Sequence, residues 1–487
     1  MHFVIDAMDA IDTRSCRVNP RGTGSAQYPP SVLLSLLVYS YATGVFSSRQ
    51  IERSTHENVA VRLLCADTHP DHDTVCTFRR ENAALLKSVF AQILEMAARC
   101  QVLKVGNITL AIDGTKVLAN ASKHAAVSYA HAEKTMQLLD QEIEQLLAKA
   151  EDADAVPLQD GLSIPDEVQR RQQRKALLAK AKAEMDARAF ARAQADQAGY
   201  ETKLAARQAQ REVGRKPRGK DPVPPDATPG PSDQFNFTDP ASRIMQTKDG
   251  FQQAYHAQAA VETDSRLIVG PRVTNACNDK NQLEPNLAAA RAHVQPATAL
   301  IDSGFVSEAA IKAVESDSQG NPSGVRILAA MQRERHGRTV AQLEQHAEPC
   351  APAPDAPFAA QMRHRTSTAA GRALYKLRQQ TVEPVFGIIK AAMGFRRFSL
   401  RGLEKINLEW VLVACEAQPP ATWPATNPHS TVAVTGLNVS LFHVEFVSLE
   451  VGLSSSTFGS RLKIGRLQHR FYNHKYHICM RLFSLGN

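Results

Sequence analysis

Apolar residues crowd the stretch from Val32 to Val38, between Pro29-Pro30 and Gly44, and that run with a start and a stop predicts a largely buried helix. Ser47-Ser48 can cap a following helix at Arg49-Gln-Ile-Glu, and Asp73-Thr74 can cap another that carries Arg79 and Arg80. Residues 1–100 therefore read as a small helical bundle. From Asn107 the period changes. Ile108, Leu110 and Ile112 fall on one face of a strand, with Thr109, Ala111 and Asp113 on the other, and Asp113 is expected where the strand gives way to Gly114-Thr115. Asp-Gly after an apolar run also reads as a plain turn.

Between Ser122 and Asp226 the pattern is helical again. Tyr129 to Asp152 is rich in Ala, Leu, Glu and Lys, and after Pro157 and Pro165 a second helical run reaches about Val213. The proline-rich stretch Pro217 to Pro231 reads as a linker that closes this helical insertion. Strands resume with a hairpin, Phe251–Glu262 and Arg266–Thr274 across Thr263-Asp-Ser. A helix from Asn281 to Val294 leads to the apolar strand Ala297–Ile301, which ends in Asp302 before a Gly-containing turn. Arg333 to Thr368 shows no core element and reads as an exposed loop. The helix Tyr375–Lys390 then sets Val382, Phe386 and Ile389 on one apolar flank, with Glu383 and Lys390 two turns apart. A carboxylate fixed there, with Lys390 beside it and Arg396, Arg397 and Arg401 beyond, could hold a metal ion next to a phosphodiester. The same pattern suits an amphipathic helix whose charges meet only solvent.

Composition adds a partner class and removes others. The chain has 487 residues and a net charge of +8, which favours a polyanionic partner. Between Arg170 and Lys220 there are 15 Lys and Arg against 5 Asp and Glu, so this one segment outweighs the charge of the whole chain. Such a run is either a solvated helix face or a basic arm along DNA. Eight cysteines occur with no CxxC pair, which excludes a zinc ribbon or a dithiol redox site. The acidic N-terminus is unlike a signal peptide and Val32–Val38 is too short to span a bilayer, so a soluble, cytoplasmic protein is expected, nucleoid-associated when bound to DNA.

The stretch Tyr375-Lys-Leu-Arg378 through Glu383 to Lys390, continued by Gly394-Phe-Arg-Arg-Phe-Ser-Leu-Arg401, resembles the Y…R…E…K block of bacterial insertion-sequence transposases of the DDE class. The family places Arg four residues before Glu, where this chain has Gln379; Arg378 is one position off and Tyr375 is displaced with it. Asp113-Gly-Thr and Asp302-Ser-Gly-Phe resemble the blocks that carry the family's two aspartates. Tyr28-Pro-Pro, Ser47-Ser-Arg-Gln-Ile-Glu and Pro70-Asp-His-Asp-Thr-Val resemble its N-terminal helical region, and the likeness spans roughly 25–415 apart from the insertion.

The resemblance implies an α/β, RNase H-like catalytic domain interrupted by a helical, coiled-coil-like insertion and preceded by an all-α domain. The corresponding divisions are 1–100, 101–121, 122–232, 233–415 and 416–487. It implies Asp113, Asp302 and Glu383 as metal ligands for two Mg²⁺ or Mn²⁺ ions. Lys390, Arg396, Arg397, Arg378, Tyr375, Arg49, Arg79 and Arg80 become candidates for phosphate contact. The implied substrate is double-stranded DNA, at transposon terminal inverted repeats and at a target, handled by a homodimer and without a membrane. An RNase H-like nuclease without transposition, or an inactive relic that only binds ends, would share these features. The family's closing helix tracks to Glu409-Trp410-Val-Leu-Val-Ala, after which prolines at 419, 420, 424 and 428 and a changed texture suggest a frameshift near codon 415. His474 to Cys479 offers a ligand-like cluster of no further pattern.

Overall fold

A computed structural model describes residues 2–16, 27–104, 106–153, 163–217, 219–316, 321–331, 348–353 and 355–417. The tail from 418 onward, with its expected frameshift and its His474–Cys479 cluster, lies outside the described residues. The chain opens with six helices: α1 (His2–Asp9), α2 (Pro30–Ala42), α3 (Ser48–Glu57), α4 (Val59–Leu64), α5 (His72–Glu81) and α6 (Ala83–Arg99). Helix α2 is buried at every position from Leu33 to Ala42, as an apolar run with no polar face requires. Asn58 and Asp71 cap α4 and α5 through side-chain oxygens that accept backbone N–H groups; the cap expected at Asp73-Thr74 falls two residues earlier.

A six-stranded mixed sheet forms the centre: β1 (Ile108–Leu118), β4 (Arg243–Thr247), β5 (Gly250–Glu262), β6 (Ile268–Thr274), β7 (Pro296–Ile301) and β8 (Arg326–Ala329). Strand β5 pairs antiparallel with β4, β6 and β1, while β1, β7 and β8 run parallel. Helix α9 (Leu283–Arg291) leads from β6 to β7, and α10 (Glu308–Glu315) connects the parallel strands β7 and β8. Three helices follow: α11 (Phe358–Ser367), α12 (Ala369–Gly387) and α13 (Leu403–Glu416). Two expectations need correction here. Strand β1 does not end at Asp113; it continues to Leu118, because β5 offers it partners as far as Ala254. The stretch expected to be an exposed loop contains α11, which buries Met362.

The insertion is a helical hairpin of α7 (Tyr129–Ala153) and α8 (Ile164–Glu212), standing on the short ladder of β2 (Ala126–Ser128) with β3 (Gln234–Asn236). Ala132, Leu139, Leu178, Ala181 and Met185 form a small core there with Val127 and Phe235. Much of the basic charge of α8 is answered inside the hairpin: Arg171 pairs with Glu142 and Glu167, Lys175 with Asp140, and Lys182 with Glu133. The partners descend along α7 as α8 ascends, so the helices are antiparallel.

One continuous core joins the N-terminal helices to the sheet. Arg79, expected at a phosphate, is buried and donates to the Tyr41 hydroxyl at 2.8 Å and the Phe46 carbonyl at 3.2 Å. Its face of the helix is occupied by protein, so it serves the core. Buried Glu409 lies beside this pair and accepts the Ser399 and Leu400 N–H groups. Gly44, at φ +78°, approaches so closely that a Cβ there would lie 2.7 Å from the Met393 carbonyl oxygen. Among the described residues no helix is long and apolar enough to cross a membrane.

At the end of α13, Glu416 is buried with neither carboxylate oxygen hydrogen-bonded, and burial pushes its pKa well above the usual range. A folded pKa above the unfolded one gives stability that is fully present below the unfolded value of 4.5 and lost as pH rises through the folded value. Glu416→Leu should therefore raise stability by ~1–3 kcal/mol at pH 8 and by less at pH 5. Chemical denaturation at the two pH values checks this; an equal change at both would contradict it.

Candidate active site

The parallel ladder between β1 and β7 ends at Ile112 opposite Ile301, and the next residue on each strand is an aspartate. There the strands part: β1 continues along β5, while β7 turns into a short helical turn at Ser303–Phe305. Asp113 and Asp302 thus flank the crevice at the carboxyl ends of two neighbouring parallel strands, where α/β sheets place their ligands.

Helix α12 lies over this crevice, held by buried Val382, Val385 and Phe386. Its Tyr375 donates to the Ile301 carbonyl at 3.1 Å, the last peptide before Asp302. One turn on, Arg378 donates from Nη1 to Asp113 Oδ2 at 2.9 Å and sets Nη2 3.8 Å from Asp302 Oδ1. In this structure both groups contact protein where phosphate contacts were expected. Burial pushes the Asp113 carboxyl above its usual pKa, partly offset by the Gly114 N–H and by Arg378, and Asp302 adds to the rise.

Glu383 does not join them. Five residues after Arg378, it stands roughly 140° further round the helix, and its side chain is exposed. Val382, fully buried, takes the inward position that the family's spacing gives to Glu. Among the described residues no three acidic, His or Cys side chains come close enough to hold a metal ion. The expected convergence of Asp113, Asp302 and Glu383 is therefore absent from this arrangement. The aspartate pair offers the hard oxygen ligands that Mg²⁺ and Mn²⁺ take, but a guanidinium stands against it and the third carboxylate faces away.

Past α12 the chain makes a π-helical turn at Ile388–Ala392. Lys390 in that turn donates to Thr115 Oγ1 at 2.5 Å and the Lys116 carbonyl at 3.0 Å, tying it to β1 two residues beyond Asp113. Burial lowers its pKa, and the neighbouring charges of Lys248 and Arg396 lower it further. Arg396 and Arg397 are exposed where residues 396–398 pair with the end of β1. Arg49 and Arg80 are exposed on the N-terminal helices, Arg80 3.5 Å from Glu81. Sequence reasoning missed Lys116, which reaches the Gln246 carbonyl, and Lys248 at the tip of the β4–β5 turn. Strand alternation past Gly114 and the Lys-Asp-Gly turn were the available signals.

On the other face of β1, His256 and Gln258 of β5 close over Gly114. His256 lies 3.4 Å from Asp279, and Gln258 donates to Asp279 at 2.8 Å and accepts from Asn286 at 3.0 Å. A Cβ at Gly114 would stand 2.5 Å from both side-chain Nε2 atoms, and both groups are buried. Gly114→Ala should cost ~1–3 kcal/mol of stability by overpacking, measured by thermal melting; a variant as stable as the parent would contradict this packing.

Two family models match the chain. Residues 2–81 match the "Transposase domain (DUF772)" and residues 353–417 the "Transposase DDE domain". No curated protein and no solved structure is matched. The second match includes Tyr375, Arg378, Glu383 and Lys390 and ends two residues before Pro419, while Asp113 and Asp302 lie outside both. With a match to a transposase domain at its start and one to a transposase DDE domain over the helix beside the two aspartates, the chain is consistent with a DDE-class insertion-sequence transposase.

Proposed function

We propose that this transposase binds the terminal inverted repeats of its element, hydrolyses the phosphodiester at each end and joins the freed end to target DNA in the Asp113–Asp302 crevice. The observation that carries this reading is the placement of two aspartates side by side at the end of a parallel ladder, beneath the helix of Glu383 and Lys390. The order of strand with Asp, hairpin, strand with Asp and helix with Glu is that of an RNase H-like domain. In this reading 101–121 and 233–415 form that domain, 122–232 its insertion, and 1–100 the DNA-binding helices that carry Arg49 and Arg80. The protein acts in the cytoplasm as a homodimer on paired ends.

Asp113 and Asp302 would hold the divalent ions, two Mg²⁺ or Mn²⁺, with Glu383 completing the set once it turns inward. Such ions lower the pKa of a bound water and polarise phosphoryl oxygens. Lys390, anchored beside Thr115, holds a phosphate oxygen near the aspartates. Lys248, Arg396 and Arg397 have no ion-pair partner among the described residues and draw the backbone of DNA toward the crevice. In the first step a water oxygen bonds to phosphorus, the 3′ oxygen leaves with a proton, and a 5′ phosphate remains. The freed 3′ hydroxyl then attacks a target phosphodiester in the same place: its oxygen bonds to the target phosphorus, the target strand's own 3′ oxygen leaves, and the proton passes to that leaving oxygen.

Asp113→Asn, Asp302→Asn and Glu383→Gln should each bring Mg²⁺-dependent nicking of end DNA to background while a gel shift shows end binding retained. Loss of binding and nicking together would contradict the assignment, and a pre-cleaved end that is never joined to target would leave only a nuclease. Arg397→Ala should weaken binding alike for all sequences and reduce the slope of log affinity against log salt by about 1. An unchanged slope would remove Arg397 from the interface.

A further inference from the structure

We infer that Arg378 is the counter-ion of the aspartate pair in the metal-free protein, and that a divalent cation enters the crevice only as this guanidinium leaves. The inference rests on the reading of Asp113 and Asp302 as metal ligands. It starts from the disagreement between that reading and the geometry. Arg378 presents its fork to two different carboxylates, at 2.9 Å and 3.8 Å, with a side chain only 9% exposed. Its Nε is buried with no hydrogen-bond partner. The guanidinium is therefore held by the two aspartates, with the Tyr375 hydroxyl also beside it.

Two carboxylates on neighbouring strand ends repel each other unless a cation stands by them. In the protein without metal, Arg378 is the group that meets this need. Once a divalent ion sits on the same oxygens, the guanidinium becomes a like charge at contact distance. Arg378 and Glu383 also share α12, about 140° apart, so the helix that presents the cation to the aspartates presents the third carboxylate away from them. Admitting metal, withdrawing Arg378 and bringing in Glu383 are then one exchange at the same crevice.

The test is a Mn²⁺ titration of the full chain without DNA, following free Mn²⁺ by electron paramagnetic resonance, together with melting curves. Arg378→Gln should bind Mn²⁺ about tenfold more tightly than the parent, the effect of removing one adjacent positive charge, and Arg378→Lys, which loses the fork, should fall between them. Without metal, Arg378→Gln should melt below the parent, and Mn²⁺ should raise its melting temperature by more. If Arg378→Gln does not fold, tighter binding by Arg378→Lys carries the same conclusion. Mn²⁺ binding that depends on Asp113 and Asp302 but is unchanged or weakened in the Arg378 variants would overturn this inference alone. Parent binding that survives Asp113→Asn and Asp302→Asn would overturn the metal-ligand reading with it.

Discussion

Two carboxylates at the ends of neighbouring strands repel each other, a cation beside them relieves that repulsion, and the centre of this molecule is arranged around that demand. The parallel ladder of β1 and β7 brings Asp113 and Asp302 together because both strands lose their shared register at the same level. Helix α12 answers with Arg378, while Tyr375 holds the peptide before Asp302. The groups that meet the aspartates are side chains of one helix.

That helix is held from beyond the sheet. After the π-helical turn, Phe395 meets Phe46 at 5.0 Å between ring centroids and Met393 abuts Gly44, both in the loop after α2. Glu409 caps the Ser399–Leu400 turn beside Arg79 and Tyr41. The two transposase-domain matches, far apart in sequence, are thus packed into one core.

Much of this was legible in the chain. Alternation in Ile108–Ile112 and the apolar run before Asp302 marked the two strands because burial on a sheet leaves a period of two or an unbroken apolar stretch. Val382, Phe386 and Ile389 marked α12 in the same way. Other features were hidden because the decisive partner is distant in sequence. Gly114 looked like a turn, yet it is glycine because His256 and Gln258 leave no room for a side chain. Arg79 looked like a surface cation until Tyr41 and Phe46 enclosed it. The charge of α8 looked available until α7 neutralised much of it. The direction of Glu383 could not be read from its spacing to Lys390, since the phase of α12 is set by what Val382 packs against.

The central claim is that Asp113 and Asp302 form the metal-binding, DNA-cleaving centre. Fe²⁺ put in place of Mg²⁺, with added hydrogen peroxide to be reduced and ascorbate to regenerate the ion, generates hydroxyl radicals that cut the backbone only near the bound ion. The account predicts cuts in three segments, around Asp113, around Asp302 and within α12, all suppressed by excess Mg²⁺. Cuts confined to other parts of the chain, or a pattern that spares both aspartate strands, would contradict it.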